Sequence, residues 1–357
     1  MHARKLAVAT AAVLTMHLAT AQSSVTLFGI ADTGFGVGRG SVANKTQLYN
    51  AGGNATSRLG FRGTEDLGSG MTASFWLEAQ LNIDDGTSSA TNTNNQATGA
   101  GTAGGLVFAR RSTVSLAGNW GELRLGRDYT AHYRNRVDAD PFGNVGVGTI
   151  QPQVGTVAGV TSTRTSNVVG YFSPNQNQGL YGQAQYYLGE NTSGTPNSSD
   201  GTGMSVLGGY ASGPLKIAAS YGKTRYATTA TIGDTASTNL GVFYDFPSAK
   251  LLVGLFRDKV DRTASLTAKG YSVATIVPLG VHQVKAAYSR YGTDATGSPT
   301  GKKISLGYVH NLSVRTALYA TVARVTNSGG ASFALNGATT TANSSSSGFD
   351  VGIRHSF

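Results

Sequence analysis

Long stretches of this chain change polarity at every second residue. In Leu215-Lys216-Ile217-Ala218-Ala219-Ser220-Tyr221-Gly222, one face carries Leu215, Ile217, Ala219 and Tyr221, and the other carries Lys216, Ala218, Ser220 and Gly222. The same division recurs around Leu180–Leu188 and from Gln283 to Ser289, where Gln283, Lys285 and Ser289 oppose Val284, Ala286 and Tyr288. A period of two belongs to extended strands whose faces meet different surroundings. A sandwich of two sheets alternates as well, so the connections have to decide.

Strands are expected near 24–37, 56–66, 70–83, 105–117, 120–128, 164–173, 179–190, 203–212, 214–226, 236–247, 249–259, 267–278, 282–292, 301–311, 315–326 and 346–357. Their connections alternate in length. Tight turns at Asp66-Leu67-Gly68-Ser69-Gly70, Gly118-Asn119, Ser212-Gly213-Pro214, Phe246-Pro247-Ser248, Pro278-Leu279-Gly280 and Asn311-Leu312-Ser313 are separated by long Gly/Ser/Thr/Asn loops. An even set of strands with short turns at one end and long loops at the other is the pattern of a transmembrane β-barrel. The expected fold is therefore all-β, a 16-stranded antiparallel transmembrane barrel.

Composition agrees with that reading. Charged residues are 13% of the 357, about half the ~25% usual for soluble domains, and there are 49 glycines. No apolar run of about 18 residues follows the N-terminus, so membrane-spanning helices are excluded. The N-terminus itself reads as a secretory signal over residues 1–21: basic Arg4 and Lys5, an apolar stretch from Leu6 to Met16, and Ala19-Thr20-Ala21 as the cleavage site. Cleavage would remove those two cations from a chain of formal net charge +10. The mature barrel is expected to span residues 22–357. Cysteine is absent, so an exported form draws no stability from disulfides.

Low-complexity stretches at 85–105, 191–203 and 327–347 fall where long loops belong and read as solvated, mobile tips. Segment 129–163 is different. It carries Phe142, Val145, Val147, Ile150 and Val154, and that density of apolar residues suggests a loop folded against the barrel wall.

Catalytic patterns are weak. There is no H-E-x-x-H or G-x-S-x-G, and His132, His282, His310 and His355 lack metal-ligand spacing, so no enzyme, cofactor or metal is expected. Arginine carries the informative pattern. Leu59 and Phe61 share one face, which places Arg58 and Arg62 on the other. With Val114 and Leu116 toward lipid, Arg111 shares the inward face with Thr113 and Ser115, while Arg110 points outward or sits at a bulge. Val169 and Tyr171 similarly place Arg164 inward. An arginine at the lipid midplane costs about 2–4 kcal/mol, so the inward face is the lumen.

At these residues the sequence resembles the Gram-negative general porins, especially the anion-preferring porins of β-proteobacteria. The motifs are Gln22-Ser23-Ser24-Val25-Thr26-Leu27-Phe28-Gly29, Arg58-Leu59-Gly60-Phe61-Arg62-Gly63-Thr64-Glu65-Asp66-Leu67, Phe75-Trp76-Leu77-Glu78, Arg110 to Leu116, Leu125-Gly126-Arg127, Ser305 to Leu312, and Gly352-Ile353-Arg354-His355-Ser356-Phe357. The resemblance implies a homotrimer of 16-stranded barrels, each with its third external loop, here 129–163, folded inward as a constriction. Asp138, Asp140 and Phe142 would lie near the loop tip, opposite a basic cluster of Arg58, Arg164 and one of Arg110 and Arg111. Phe357 resembles the signal read by the outer-membrane barrel-assembly machinery. Outer-membrane lipid and lipopolysaccharide would surround the barrel. Many relatives have Pro-Glu-Phe-Gly in the loop; Asp140-Pro141-Phe142-Gly143 lacks that Glu, which argues against strong cation selectivity. The function implied is passive diffusion of small hydrophilic solutes and ions with a preference for anions. The rival readings are an outer-membrane barrel enzyme and an adhesin. Dispersed lysines without a basic helix argue against nucleic acid.

Overall fold

The computed structural model describes residues 24–101, 104–150, 157, 159–175 and 178–357. The expected signal, 1–21, and Val154 lie outside them. The strands are β1 (Ser24–Arg39), β2 (Lys45–Leu48), β3 (Arg58–Gly68), β4 (Met71–Gln80), β5 (Arg111–Gly118), β6 (Gly121–Tyr129), β7 (Arg164–Phe172), β8 (Gly179–Tyr187) and β9 (Gly203–Ser212). They continue as β10 (Leu215–Thr224), β11 (Asp234–Asp245), β12 (Lys250–Asp261), β13 (Leu266–Leu279), β14 (His282–Thr293), β15 (Thr300–Asn311), β16 (Thr316–Ser328) and β17 (Ser346–Ser356). Apart from the four-residue β2, these are the sixteen strands of a closed antiparallel wall.

Closure follows from β1. Its residues 24–30 pair with 58–64 of β3, while residues 30–39 pair with 347–356 of β17. The flank of β1 that β3 leaves open is covered by β2, against residues 35–38. That short strand is absent from the alternation pattern because four residues are too few to show a period. β5 starts at Arg111, later than the expected 105, since 105–110 is irregular chain returning from the preceding loop.

Burial follows the alternation. Along β16, Ala317, Tyr319, Ala323 and Val325 are buried while Leu318 and Val322 are exposed on the outer face. The turn between β3 and β4 puts Ser69 at φ 53° and Gly70 at φ 76°, the left-handed pair favoured by two-residue hairpins. The short turns and both described chain ends share one rim, the side that transmembrane β-barrels turn to the periplasm. At the opposite rim residues 192–199 are exposed as solvated tips would be, while the other two low-complexity segments contribute packed residues. Asn95 is buried and donates to the Ser166 and Leu188 carbonyls at 3.1 and 3.0 Å, and Leu335 packs with Val147 and Val325.

Phe357 lies at the seam. Its backbone exchanges hydrogen bonds with Gly29 at 2.9 and 3.0 Å, and a β-carbon added at Gly29 would stand 2.2 Å from the Phe357 ring and 2.8 Å from the Arg58 carbonyl oxygen. Gly29→Ala should therefore destabilise the folded barrel by about 1–3 kcal/mol, the usual cost of overpacking. Gly208→Ala, where an added carbon meets nothing within 4 Å, should be close to neutral. The temperature at which the compact band unfolds on denaturing gels compares the two.

Candidate functional site: the lumen waist

Three arginines enter the lumen where strands return from long loops. Arg58 is the first residue of β3, Arg164 the first of β7, and Arg110 immediately precedes β5. Arg58 and Arg110 meet Glu78 of β4, and Arg110 and Arg164 meet Tyr129 at the end of β6. Arg110 Nε lies 2.6 Å and Arg58 Nη1 3.4 Å from Glu78 Oε1, while Trp76 Nε1 donates to Glu78 Oε2 at 3.1 Å. The Tyr129 phenol oxygen accepts from Arg110 Nη2 at 2.8 Å and from Arg164 Nη2 at 2.6 Å. Arg164 Nε donates to the Arg110 carbonyl at 2.9 Å, locking the two arginines together. Two guanidiniums thus share a single carboxylate, and the third is tied to them through Tyr129 and the Arg110 carbonyl.

The alternation expected Arg111 inward and left Arg110 to point outward or sit at a bulge. In the structure both reach the lumen. Arg111 is in register with Glu78, donates to Thr113 Oγ1 at 3.0 Å and stacks over Trp76 at 4.6 Å. Arg110 precedes the first paired residue, so the parity rule does not bind it, and its backbone N–H reaches the Glu78 carbonyl at 3.1 Å. Arg62 lies further toward the turns, its guanidinium over Phe28 and Trp76 at 5.4 and 5.3 Å. Below the waist, Arg124 pairs with Glu122 and Asp128 at 2.8 and 2.5 Å, and Arg134 pairs with Asp128 at 2.9 Å.

The described residues of segment 129–163 fold into the barrel, beginning with a helix, Ala131–Asp138, capped by Thr130. The helix docks through polar groups. His132 N donates to Ser205 Oγ at 3.2 Å, Asn135 Nδ2 donates to the Ala218 and Asn239 carbonyls at 3.1 and 3.2 Å, and Arg136 Nη2 reaches Asp258 Oδ1 at 2.6 Å. Tyr291 donates to the other Asp258 oxygen at 2.7 Å, and Ser237 also donates to this carboxylate. Gly222 leaves space for the imidazole, since a β-carbon there would stand 2.1 Å from His132 Nδ1. Burial, with Arg136 acting in the same direction, pushes the His132 pKa down to about 3, so the ring adds no charge at neutral pH.

Beyond the helix the loop continues along the wall. Asp140 is buried and accepts from Phe142 N, Asn144 N and Ile150 N at 2.9, 3.1 and 3.2 Å, and from Thr149 Oγ1 at 2.7 Å. The Phe142 ring occupies space left by Gly307, Val147 N donates to Asp350 at 2.7 Å, and Lys303 Nζ donates to the Thr149 carbonyl at 2.6 Å. Of the three residues expected at the loop tip, Asp138 alone is exposed, 3.6 Å from Lys216; Asp140 and Phe142 are turned into the packing. Glu78 and Tyr129 were not among the candidate residues. Parity within β4 places Glu78 inward with Trp76, but nothing in the sequence shows that Arg58 and Arg110 meet there.

Residues 7–330 match the Gram-negative porin family. The chain belongs to that family. It is 35% identical to outer membrane porin protein 32 of Delftia acidovorans, an alignment covering 99% of this chain and 100% of the relative. An outer membrane porin protein of Bordetella pertussis is 28% identical, with 95% and 96% covered. The solved anion-selective porin from Comamonas acidovorans superposes with a TM-score of 0.82 at 34% identity, covering 94% of this chain and 100% of that one. The protein is an outer-membrane porin, a channel rather than an enzyme.

The Arg136–Asp258 pair is fully buried. Removing one partner of such a pair leaves an uncompensated charge and typically costs about 3–5 kcal/mol. Asp258→Ala in the porin should therefore loosen the internal loop, seen as faster proteolysis within 129–163 while the compact folded gel band persists.

Proposed function

We propose that the porin passes small hydrophilic solutes with a preference for anions, and that Arg58, Arg110 and Arg164 set that preference at a waist narrowed by segment 129–163. The observation that carries this reading is the cluster of three guanidiniums about one carboxylate, Glu78, which pairs with Arg58 and Arg110 while Arg164 is bonded to Tyr129 and the Arg110 carbonyl. Sixteen strands enclose an aqueous channel, and a basic field at its narrow point attracts anions without trapping them. Other lumen carboxylates are held by their own partners: Asp128 by Arg124 and Arg134, Asp258 by Arg136, and Asp140 by backbone N–H groups. The anion-selective relative at 34% identity supports the same reading. Export through residues 1–21, recognition of Phe357 by the assembly machinery, a homotrimeric state and contact with lipopolysaccharide belong to this proposal.

The double variant Arg58→Gln/Arg164→Gln tests it while leaving Arg110 to pair with buried Glu78. A charge pair at 4 Å is worth about 1 kcal/mol in water and about 4 kcal/mol at an effective dielectric near 20. The anion-to-cation permeability ratio should accordingly fall about fivefold or more, read from zero-current potentials in a salt gradient. Glu78→Gln should move the potential the other way. Both shifts should shrink near 1 M salt, where the screening length is about 3 Å. Potentials that do not move in dilute salt would exclude the arginine cluster as the selectivity element.

A further inference from the structure

Two tyrosines join the waist arginines to the internal loop. Tyr129 is the last residue of β6, and Tyr133 lies four residues on, within the helix Ala131–Asp138. Their rings stack with centroids 4.9 Å apart and planes 24° apart. One amide fixes the corner between strand and helix: Gln185 Nε2 donates to the Tyr129 carbonyl at 2.9 Å, and Gln185 Oε1 accepts from Ala131 N at 2.9 Å. On the loop side, Tyr133 is buried and its phenol oxygen accepts from Asn144 Nδ2 at 3.0 Å. Asn144 N donates in turn to Asp140, the carboxylate about which the loop is wound. An unbroken line of contacts therefore runs from Asp140 through Asn144 and the two rings to the Tyr129 phenol oxygen.

At that oxygen the two arginines depend on the phenol unequally. Arg110 has Glu78 as a second side-chain partner at 2.6 Å. Arg164 is held by the Arg110 carbonyl at Nε and by Tyr129 at Nη2, with its guanidinium 4.1 Å from the centre of the Tyr129 ring. Among the described residues, no carboxylate pairs with Arg164. Like charges this close repel, so the pair stays together only where something bridges it. A hydroxyl oxygen has lone pairs for two such donors. We propose that Tyr129 is a positioning residue of the waist that holds Arg110 and Arg164 together, and that Tyr133 sets Tyr129 through the ring stack, so that the seating of the internal loop decides where the arginine charge stands. Stacked aromatic rings prefer defined offset geometries, so Tyr133 restricts the Tyr129 ring as well as filling space beside it. Arg134 also lies 5.7 Å from the Tyr129 ring, but Asp128 holds its guanidinium at 2.9 Å. The inference rests on the arginine waist proposed above and gives the loop a second task besides narrowing the lumen.

The test measures zero-current potentials of the full mature porin in a dilute salt gradient. Tyr129→Phe, which keeps the ring and removes the phenol oxygen, should lower the anion-to-cation permeability ratio about twofold, less than removing the charge itself, because Coulomb energy weakens gradually with distance. Tyr133→Leu should give a similar loss, and Tyr133→Phe, which keeps the ring, should recover most of it. In an Arg164→Gln background Tyr129→Phe should add little, because the group it holds is gone, whereas independent sites would add. Arginine side-chain nitrogen NMR supplies a readout separate from ion preference: the Arg164 Nε–H signal should be sharp in the unmodified porin and broaden in Tyr129→Phe and Tyr133→Leu. An Arg164 signal unchanged in Tyr129→Phe would overturn the positioning role, and so would full additivity with Arg164→Gln. A signal unchanged in Tyr133→Leu alone would overturn the link to the loop. Potentials moved by Arg58→Gln/Arg164→Gln but not by Tyr129→Phe would also overturn the positioning role and leave the waist standing. Potentials moved by neither, with the Arg164 signal broadened, would sustain Tyr129 as the holder of the arginines and remove those arginines as the selectivity element.

Discussion

The pairing of β1 with β17 is the contact on which the rest depends. Within hydrocarbon no water is present to satisfy backbone N–H and C=O groups, so a sheet can span a membrane only if its first and last strands meet. Here residues 30–39 and 347–356 make that seam, and Phe357 finishes it against Gly29. Once the sheet is closed, each strand has one face toward lipid and one toward the lumen. Apolar side chains take the first. Charges and amides are left the second, which is why a chain with only 13% charged residues concentrates them around a channel.

That confinement makes the disposition of the carboxylates decisive. Asp32 accepts from the Gly53, Asn54 and Ala55 N–H groups and from Tyr319, which ties the first long loop to the wall. Asp350 holds Val147 and Tyr49 in the same way. Asp258 receives Arg136, Ser237 and Tyr291. These acids fasten loops, and their negative charge is directed into local donors. Glu78 is the one acid bonded to the waist arginines, shared by Arg58 and Arg110 while Arg164 is held by the Tyr129 hydroxyl and a carbonyl. The field at the waist is therefore set by where acids are anchored as much as by where arginines are.

Strands and short turns were legible in the sequence because lipid and water impose opposite polarity on successive residues, and the strand count follows from that. The inward placement of Arg58, Arg62 and Arg164 was legible for the same reason. Arg110 was not, because parity has meaning only for a residue held in the ladder. The helix Ala131–Asp138 was hidden by a different cause. Its buried residues include His132, Asn135 and Arg136, matched to Ser205, Asn239 and Asp258 on a polar wall, so it shows no apolar stripe of helical period. The low-complexity segments conceal packing similarly, since an Asn such as Asn95 can be buried through amide hydrogen bonds without any hydrophobic signature.

Parity also explains how one wall sends neighbouring cations to opposite surroundings. Lys302 and Lys303 are neighbours on β15, yet Lys302 faces outward opposite Arg290 while Lys303 is buried inside, donating to the Thr149 carbonyl of the internal loop. Neither could take the other's place, because the side-chain period of a strand is two and a shift of one residue exchanges every face at once. A one-residue shift of β15 at these positions would carry Lys303, the loop anchor, to the lipid side and Lys302 into the lumen. The register that closes the barrel thus also fixes the charge seen by the channel and the charge seen by the membrane.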